Sequence, residues 1–216
     1  MDPIDITFKG WQLKIREPEG AGPHPVIFLI HGWTGDENSM WVFAPRLPND
    51  ALLIAPRAPY VSRHPEIGGF SWVEERGESF STLEQFESAI QPFNGLIEDL
   101  AGRYEGDFSR FGLAGFSQGA AFCFAYAMRH PGRVGRLASL AGFLPSETST
   151  GDLGKLKGLP VFIAHGSKDE TVPIAMAQEA NQRLDSAGAR VSYCESDTGH
   201  KLGANCFTAL GDFFRA

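Results

Sequence analysis

No run of about eighteen apolar residues occurs anywhere in the chain, so no segment has the length to cross a bilayer as a helix. The opening residues, Met1-Asp2-Pro3-Ile4-Asp5, carry neither the basic n-region nor the apolar h-region of a secretory signal, and the expectation is a soluble, cytoplasmic protein. Cysteine is scarce. Cys123, Cys194 and Cys206 are odd in number and lack Cys-x-x-Cys spacing, so neither a disulfide nor a zinc site is expected, and Cys123 in its apolar stretch reads as core. Positive charge is short as well: 19 Lys and Arg stand against 26 Asp and Glu, for a formal net charge of −7. With no Lys/Arg cluster to meet phosphates, nucleic acid is excluded as a partner and stable association with an anionic membrane is disfavoured. The densest charged stretch, Glu74-Glu75-Arg76-Gly77-Glu78, mixes signs and reads as a solvated turn. Internal repeats and low-complexity tracts are missing too.

What remains is a chain of 216 residues, 43% hydrophobic and 21% charged, which suits a single domain spanning 1–216 with room for a buried sheet. Partial alternation over residues 4–17 predicts an edge strand or hairpin. Residues 26–30 (Val-Ile-Phe-Leu-Ile) form a continuous apolar run, as expected of a central strand buried on both faces. Further short apolar runs at 51–55, 111–114, 137–141, 161–164 and 190–194 alternate with amphipathic stretches at 82–104, 118–129, 174–187 and 202–214. That alternation predicts an α/β fold with a mostly parallel central sheet flanked by helices. The connection 142–160 is too short to hold a cap domain. Residues 56–81 form a long segment rich in Pro, Gly and aromatics, which predicts an ordered wall beside a site.

One pentapeptide stands at a strand-to-helix junction: Gly115-Phe116-Ser117-Gln118-Gly119. A serine on so sharp a turn is held in a strained backbone conformation, with glycines where a Cβ would clash and its hydroxyl raised above the sheet. The backbone N–H of Gln118 would then face the oxygen that becomes negative when Ser117 attacks an acyl carbon. A serine hydroxyl needs a base, and in this architecture an acid and then a histidine follow it in chain order. Asp169 lies after the 161–164 run, in His165-Gly166-Ser167-Lys168-Asp169, and His200 lies after the 190–194 run, in Asp197-Thr198-Gly199-His200. Glu170 competes with Asp169, but it is better read as a first-turn charge favoured by the helix dipole. Read alone, Asp169 could be a cap for the helix beginning near Val172, but chain order, position and flanking glycines together favour the acid role. His31 and His165 read as structural, and His24, His64 and His130 as surface residues beside prolines. The second oxyanion donor is expected in His31-Gly32-Trp33-Thr34-Gly35, with the Trp33 amide favoured and Thr34 the fallback.

These motifs, together with Ala55-Pro56-Arg57-Ala58-Pro59 and Val172-Pro173, resemble the carboxylesterase, phospholipase and acyl-protein thioesterase group of the α/β-hydrolase superfamily. The resemblance implies a capless α/β hydrolase, working without metal or organic cofactor, that cleaves carboxylic esters and thioesters, with Trp33 and Gln118 as oxyanion donors. It also implies a homodimeric state among its partners. Trp33 stands where this group carries a smaller residue, which suggests a narrower acyl pocket. The resulting expectation is a serine carboxylesterase acting on a small-molecule ester with a small to medium acyl group, with Trp33, Phe70, Trp72, Phe116 and Phe143 lining the pocket. The alternatives are an acyl-protein thioesterase or lysophospholipase, and a non-catalytic ligand-binding module on the same fold. A dinucleotide-binding oxidoreductase is disfavoured, because the glycines around 115 do not fall into Gly-x-Gly-x-x-Gly and no acid follows the next strand to hold a ribose.

Overall fold

A computed structural model of the chain describes residues 2–64, 66–74 and 80–216. Of the mixed-charge turn expected at 74–78, residues 75–78 lie outside the described residues.

The chain begins with a hairpin, β1 (Ile4–Phe8) and β2 (Trp11–Arg16), paired antiparallel so that Phe8 faces Trp11 across a two-residue turn. Lys9 and Gly10 both adopt positive φ, the twist that two-residue hairpins favour. β3 (His24–Ile30) and β4 (Leu52–Pro56) follow. A small separate hairpin is made by β5 (Tyr60–Val61) and β6 (Phe70–Ser71). Helix α1 (Glu87–Ala101) comes next and is entered through a single 3-10 turn. Before that turn, Thr82 and Gln85 bond each other's backbone N–H in a reciprocal cap. The remaining elements alternate: β7 (Gly106–Phe116), α2 (Gln118–Arg129), β8 (Val134–Leu140), the short α3 (Thr150–Gly154), β9 (Pro160–Gly166), α4 (Ile174–Ser186), β10 (Arg190–Ser196) and α5 (Ala204–Arg215).

Eight strands form the main sheet in the order β1-β2-β4-β3-β7-β8-β9-β10, antiparallel through β1, β2 and β4 and parallel from β4 to β10. The expected mostly parallel sheet with a hairpin at its edge is what forms. The segment 56–81 is not structureless: it contains the β5/β6 hairpin.

Both faces are covered, so β3 from Val26 onward and the whole of β4 are apolar and buried. On one face α1, α2 and α4 bury a large cluster that includes Phe28, Trp72, Phe93, Phe111, Phe122 and Tyr126. Its rings meet mostly edge to face, as Phe28 does with Phe93 at 5.2 Å and with Phe111 at 5.3 Å. On the other face α5 and the segment carrying Met40, Phe43 and Leu47 cover Ile27, Leu29, Leu53 and Phe162.

The strand order also locates a crevice. From β3 the chain moves outward to β4 on one side, and then returns to place β7 on the other side of β3. The loops leaving the carboxyl ends of β3 and β7 therefore diverge, which is where open α/β sheets bind ligands.

One expectation fails. Cys194, in β10, and Cys206, in α5, form a disulfide, with Cys123 left as a buried free thiol. Cysteine parity and spacing carry no information about two residues that the last strand and the last helix bring side by side.

Candidate active site

Ser117 lies between β7 and α2 with φ +53° and ψ −119°, a conformation costly for any residue with a side chain. The turn is held by close packing of its glycines. A Cβ on Gly115 would lie 2.4 Å from the Gly119 carbonyl oxygen, and one on Gly119 would lie 2.3 Å from that of Ile30 and 2.4 Å from that of His31. Glycine is therefore required at both places, and the start of α2 is pressed against the end of β3. Gln118 is the first residue of α2, where helix geometry gives the backbone N–H no intrahelical carbonyl and the dipole favours negative charge.

Asp169 follows β9, and His200 lies between β10 and α5. His200 Nδ1 stands 2.7 Å from Asp169 Oδ2, with the carboxylate side chain fully buried and the imidazole 23% exposed. The other carboxylate oxygen accepts the backbone N–H groups of Thr171 and Val172, each at 2.9 Å. The two readings of Asp169 are therefore not exclusive: one oxygen caps the turn ahead of α4, and the other faces His200. Glu170 is exposed and precedes Ile174, the first residue of α4, by four positions, so it is not a first-turn charge of that helix. His165 is completely buried, with Nε2 2.8 Å from the Val172 carbonyl and 3.4 Å from Asp169 Oδ2.

The loop after β3 is held on several sides. His31 Nε2 accepts the Ala58 N–H at 2.9 Å and Nδ1 donates to the Gly32 carbonyl at 2.7 Å, a pattern that requires the neutral ring. Burial pushes its pKa down to about 4. Glu37 receives both Arg57 Nε and Nη2 at 2.7 Å, and this fork holds its carboxyl below the usual carboxylate range. The Arg57 guanidinium in turn lies 4.6 Å from the centre of the Phe70 ring. The Thr34 N–H donates to the Phe70 carbonyl at 2.9 Å, so the fallback oxyanion donor is already engaged.

Ser117, Gln118, Trp33 and His200 all line one cavity of about 900 Å³. Of the five expected lining aromatics, Trp33, Phe116 and Phe143 are at its wall, and the Phe116 ring lies 4.8 Å from that of His200. The other two are elsewhere. Trp72 is completely buried in the core, stacked on Phe122 at 4.4 Å, because its indole N–H bonds the His31 carbonyl and turns the ring inward. Phe70 packs under Arg57. Sequence reasoning missed Met40, Val42, Phe43, Phe80 and Phe207, which also line the cavity. It also missed His64, whose ring lies 5.2 Å from that of Trp33. His24 is buried rather than at the surface. The helical spacing of Met40 and Phe43 is the only signal that could have drawn attention to that wall.

The strand order, the strained serine at the end of β7 and the acid and histidine after β9 and β10 define an α/β hydrolase. Among solved structures the chain is similar to the carboxylesterase from Mesorhizobium loti, with a TM-score of 0.84 over 100% of both chains at 20% identity. The Phospholipase/Carboxylesterase family pattern matches residues 12–216, and the chain belongs to that family. It is 30% identical over 191 residues to acyl-protein thioesterase 1 of Eremothecium gossypii, covering 80% of this chain and 78% of that one. It is also 30% identical over 192 residues to esterase YpfH of Escherichia coli, covering 82% and 76%. The protein is thus a serine hydrolase of the carboxylic-ester type.

Proposed function

We propose that the protein is a serine carboxylesterase that cleaves small-molecule esters of small to medium acyl groups through an acyl-enzyme at Ser117. The observation that carries this reading is the opening of a strained serine and an Asp169-paired imidazole onto the same apolar cavity. With Nδ1 donating to Asp169, the lone pair of His200 is on Nε2. Nε2 takes the hydroxyl proton as Ser117 Oγ bonds the acyl carbon. The charge that develops on the carbonyl oxygen is met by the backbone N–H groups of Gln118 and Trp33. As the carbon–oxygen bond to the alcohol breaks, the imidazolium returns that proton to the leaving oxygen. Water then repeats the sequence on the acyl-enzyme, releasing the acid and restoring Ser117. Asp169 fixes the ring tautomer and stabilises the imidazolium.

A second reading is an acyl-protein thioesterase or lysophospholipase, which shares this machinery. It is favoured by the size of the cavity and by its apolar wall of Met40, Val42, Phe43 and Phe207. Among the described residues no helix is long and apolar enough to span a membrane. The Cys194–Cys206 bond stands against a cytoplasmic location, since disulfides persist best in oxidising compartments.

The test is a panel of p-nitrophenyl esters from acetate to palmitate beside an acyl thioester, run on the protein and on Ser117→Ala, with fluorophosphonate labelling of both. The variant is expected to lose turnover by several orders of magnitude and to take no label. A folded Ser117→Ala that still hydrolyses ester overturns the mechanism. A wild-type protein that takes no label favours a non-catalytic module, and a steep preference for long chains or the thioester favours the second reading.

A further inference from the structure

We infer that the Gln118 side chain is a positioning group that joins the two halves of the oxyanion site, so that one residue supplies a donor through its backbone and registers the other donor through its carboxamide. The inference rests on the assignment of Ser117 and of the Trp33 and Gln118 amides above. Gln118 is 3% exposed, and its carboxamide bonds the segment that carries Ser71 and Trp72. There Oε1 accepts the Trp72 N–H at 3.1 Å, and the carboxamide meets Ser71 Oγ at 3.3 and 3.4 Å.

The segment held in this way is the one that holds the loop after β3. The Phe70 carbonyl accepts the Thr34 N–H at 2.9 Å, and the Phe70 N–H donates to the Gly35 carbonyl at 3.0 Å. Trp72 Nε1 donates to the His31 carbonyl at 2.8 Å. Trp33 is bracketed by these three bonds. The contact is close as well as bonded: a Cβ on Gly69, whose φ is +79°, would lie 2.0 Å from the Thr34 carbonyl oxygen. A strand-like strap of residues 69–72 therefore transmits the position of the first turn of α2 to the backbone on either side of Trp33.

Two donors act on one oxygen only if their spacing is held to a fraction of an ångström, and small misplacements cost large factors in rate. The elbow and the β3 loop leave neighbouring paired strands whose ends are in contact, and the strap fixes the loop beyond that contact, on either side of Trp33. A carboxamide suits the linking task, because it accepts from a backbone N–H and bonds a hydroxyl without carrying a charge into a buried place.

The experiment compares Gln118→Met, Ser71→Ala and the double variant with wild type, all of which keep the backbone amide at position 118. It measures kcat and KM for a p-nitrophenyl ester and the inhibition constants of two probes. A trifluoromethyl ketone adds to Ser117 and places a negative oxygen in the site, whereas the product alcohol reports ground-state binding. For Gln118→Met the expected result is a fall in kcat of about tenfold to a hundredfold with KM little changed. Affinity for the ketone falls in step with kcat/KM, and affinity for the alcohol is retained. Ser71→Ala shows the same pattern more weakly, and the double variant is no worse than Gln118→Met, because both act through one contact. An unchanged kcat, or a ketone affinity that stays put while kcat falls, overturns the inference. If Gln118→Met does not fold, Ser71→Ala decides on the same two criteria. The parent reading is tested separately by Ser117→Ala: loss of turnover there, with Gln118→Met behaving as wild type, refutes the positioning role alone.

Discussion

Asp169 and His200 meet through a single carboxylate oxygen, 2.7 Å from Nδ1, while the second oxygen of the same carboxylate is committed to the backbone of Thr171 and Val172. The two halves of this side chain have separable consequences. Asp169→Asn keeps an oxygen for the two amides but sets an NH₂ group against Nδ1, so the imidazole must turn over its tautomer and its Nε2 can no longer take a proton from Ser117. A fall in kcat of about 10³ to 10⁴ is expected with little change in melting temperature. Asp169→Ala should lose activity to a similar degree. In addition it strands the buried amide of Val172 and the partly buried one of Thr171, at a cost of about 1–3 kcal/mol in chemical denaturation. Full activity in the asparagine variant would remove Asp169 from the mechanism.

Cys194 and Cys206 close a loop of which His200 is near the middle, with a separation of 12 residues. One half is anchored in β10 and the other in α5, so the bond ties the two elements that carry the histidine. By loop closure such a bond is worth about 3 kcal/mol. The double variant Cys194→Ser/Cys206→Ser is therefore expected to melt roughly 6–12 °C lower, given that about 1 kcal/mol shifts a chain of this size by 2–4 °C. A dithiol reductant, which takes up the disulfide as its own oxidised form and leaves two thiols, should lower the melting temperature of wild type to near that of the variant and leave the variant alone. Mass spectrometry under native conditions that finds three free thiols would refute the bond.

The longer elements were legible because they run far enough to show their period, whereas the two-residue strands β5 and β6 and the five-residue α3 did not show in the pattern. The central strands carry unbroken apolar runs, as at 26–30 in β3 and 52–56 in β4, and α2, expected at 118–129, runs from Gln118 to Arg129. The elbow was legible for a different reason: glycine at 115 and 119 is forced by contacts with Gly119, Ile30 and His31, and such contacts leave a fixed spacing in the chain. What stayed hidden depends on neighbours distant in sequence. Trp72 looked like a pocket aromatic, and only the bond of its indole to His31 explains why it faces the core. Thr34 looked like a usable donor until Phe70 arrived from 36 residues away to take its N–H. Phe43 and Phe207, which stack at 5.2 Å, sit on segments with nothing in common except the cavity wall they share. The cysteine pair belongs to the same class.

His31 makes the fold sensitive to acid in a window of its own. Its two ring nitrogens are both engaged, one accepting from Ala58 and one donating to Gly32, and a proton on Nε2 would set two donors face to face at 2.9 Å. Burial lowers its pKa from 6.5 to about 4. The unfolded chain therefore binds a proton near pH 6.5 that the folded chain refuses until about pH 4. The stability from this group is complete above pH 6.5 and drains away as pH falls toward 4, by about 3 kcal/mol in all. His130, also lowered by burial though less enclosed, acts with the same sign. The Glu37 carboxyl, held down by Arg57, contributes only at more acid pH, when carboxylates of the unfolded chain begin to take protons. Urea unfolding at pH 7, 6, 5 and 4.5 isolates the histidine window. Wild type should lose stability steadily across it. His31→Gln, less stable at pH 7 for want of the ring's packing, should show a slope shallower by about 2–3 kcal/mol over the whole range. Parallel slopes for the two proteins would mean that His31 is not held neutral by the fold, and would undo the hydrogen-bond pattern assigned to the loop that carries Trp33.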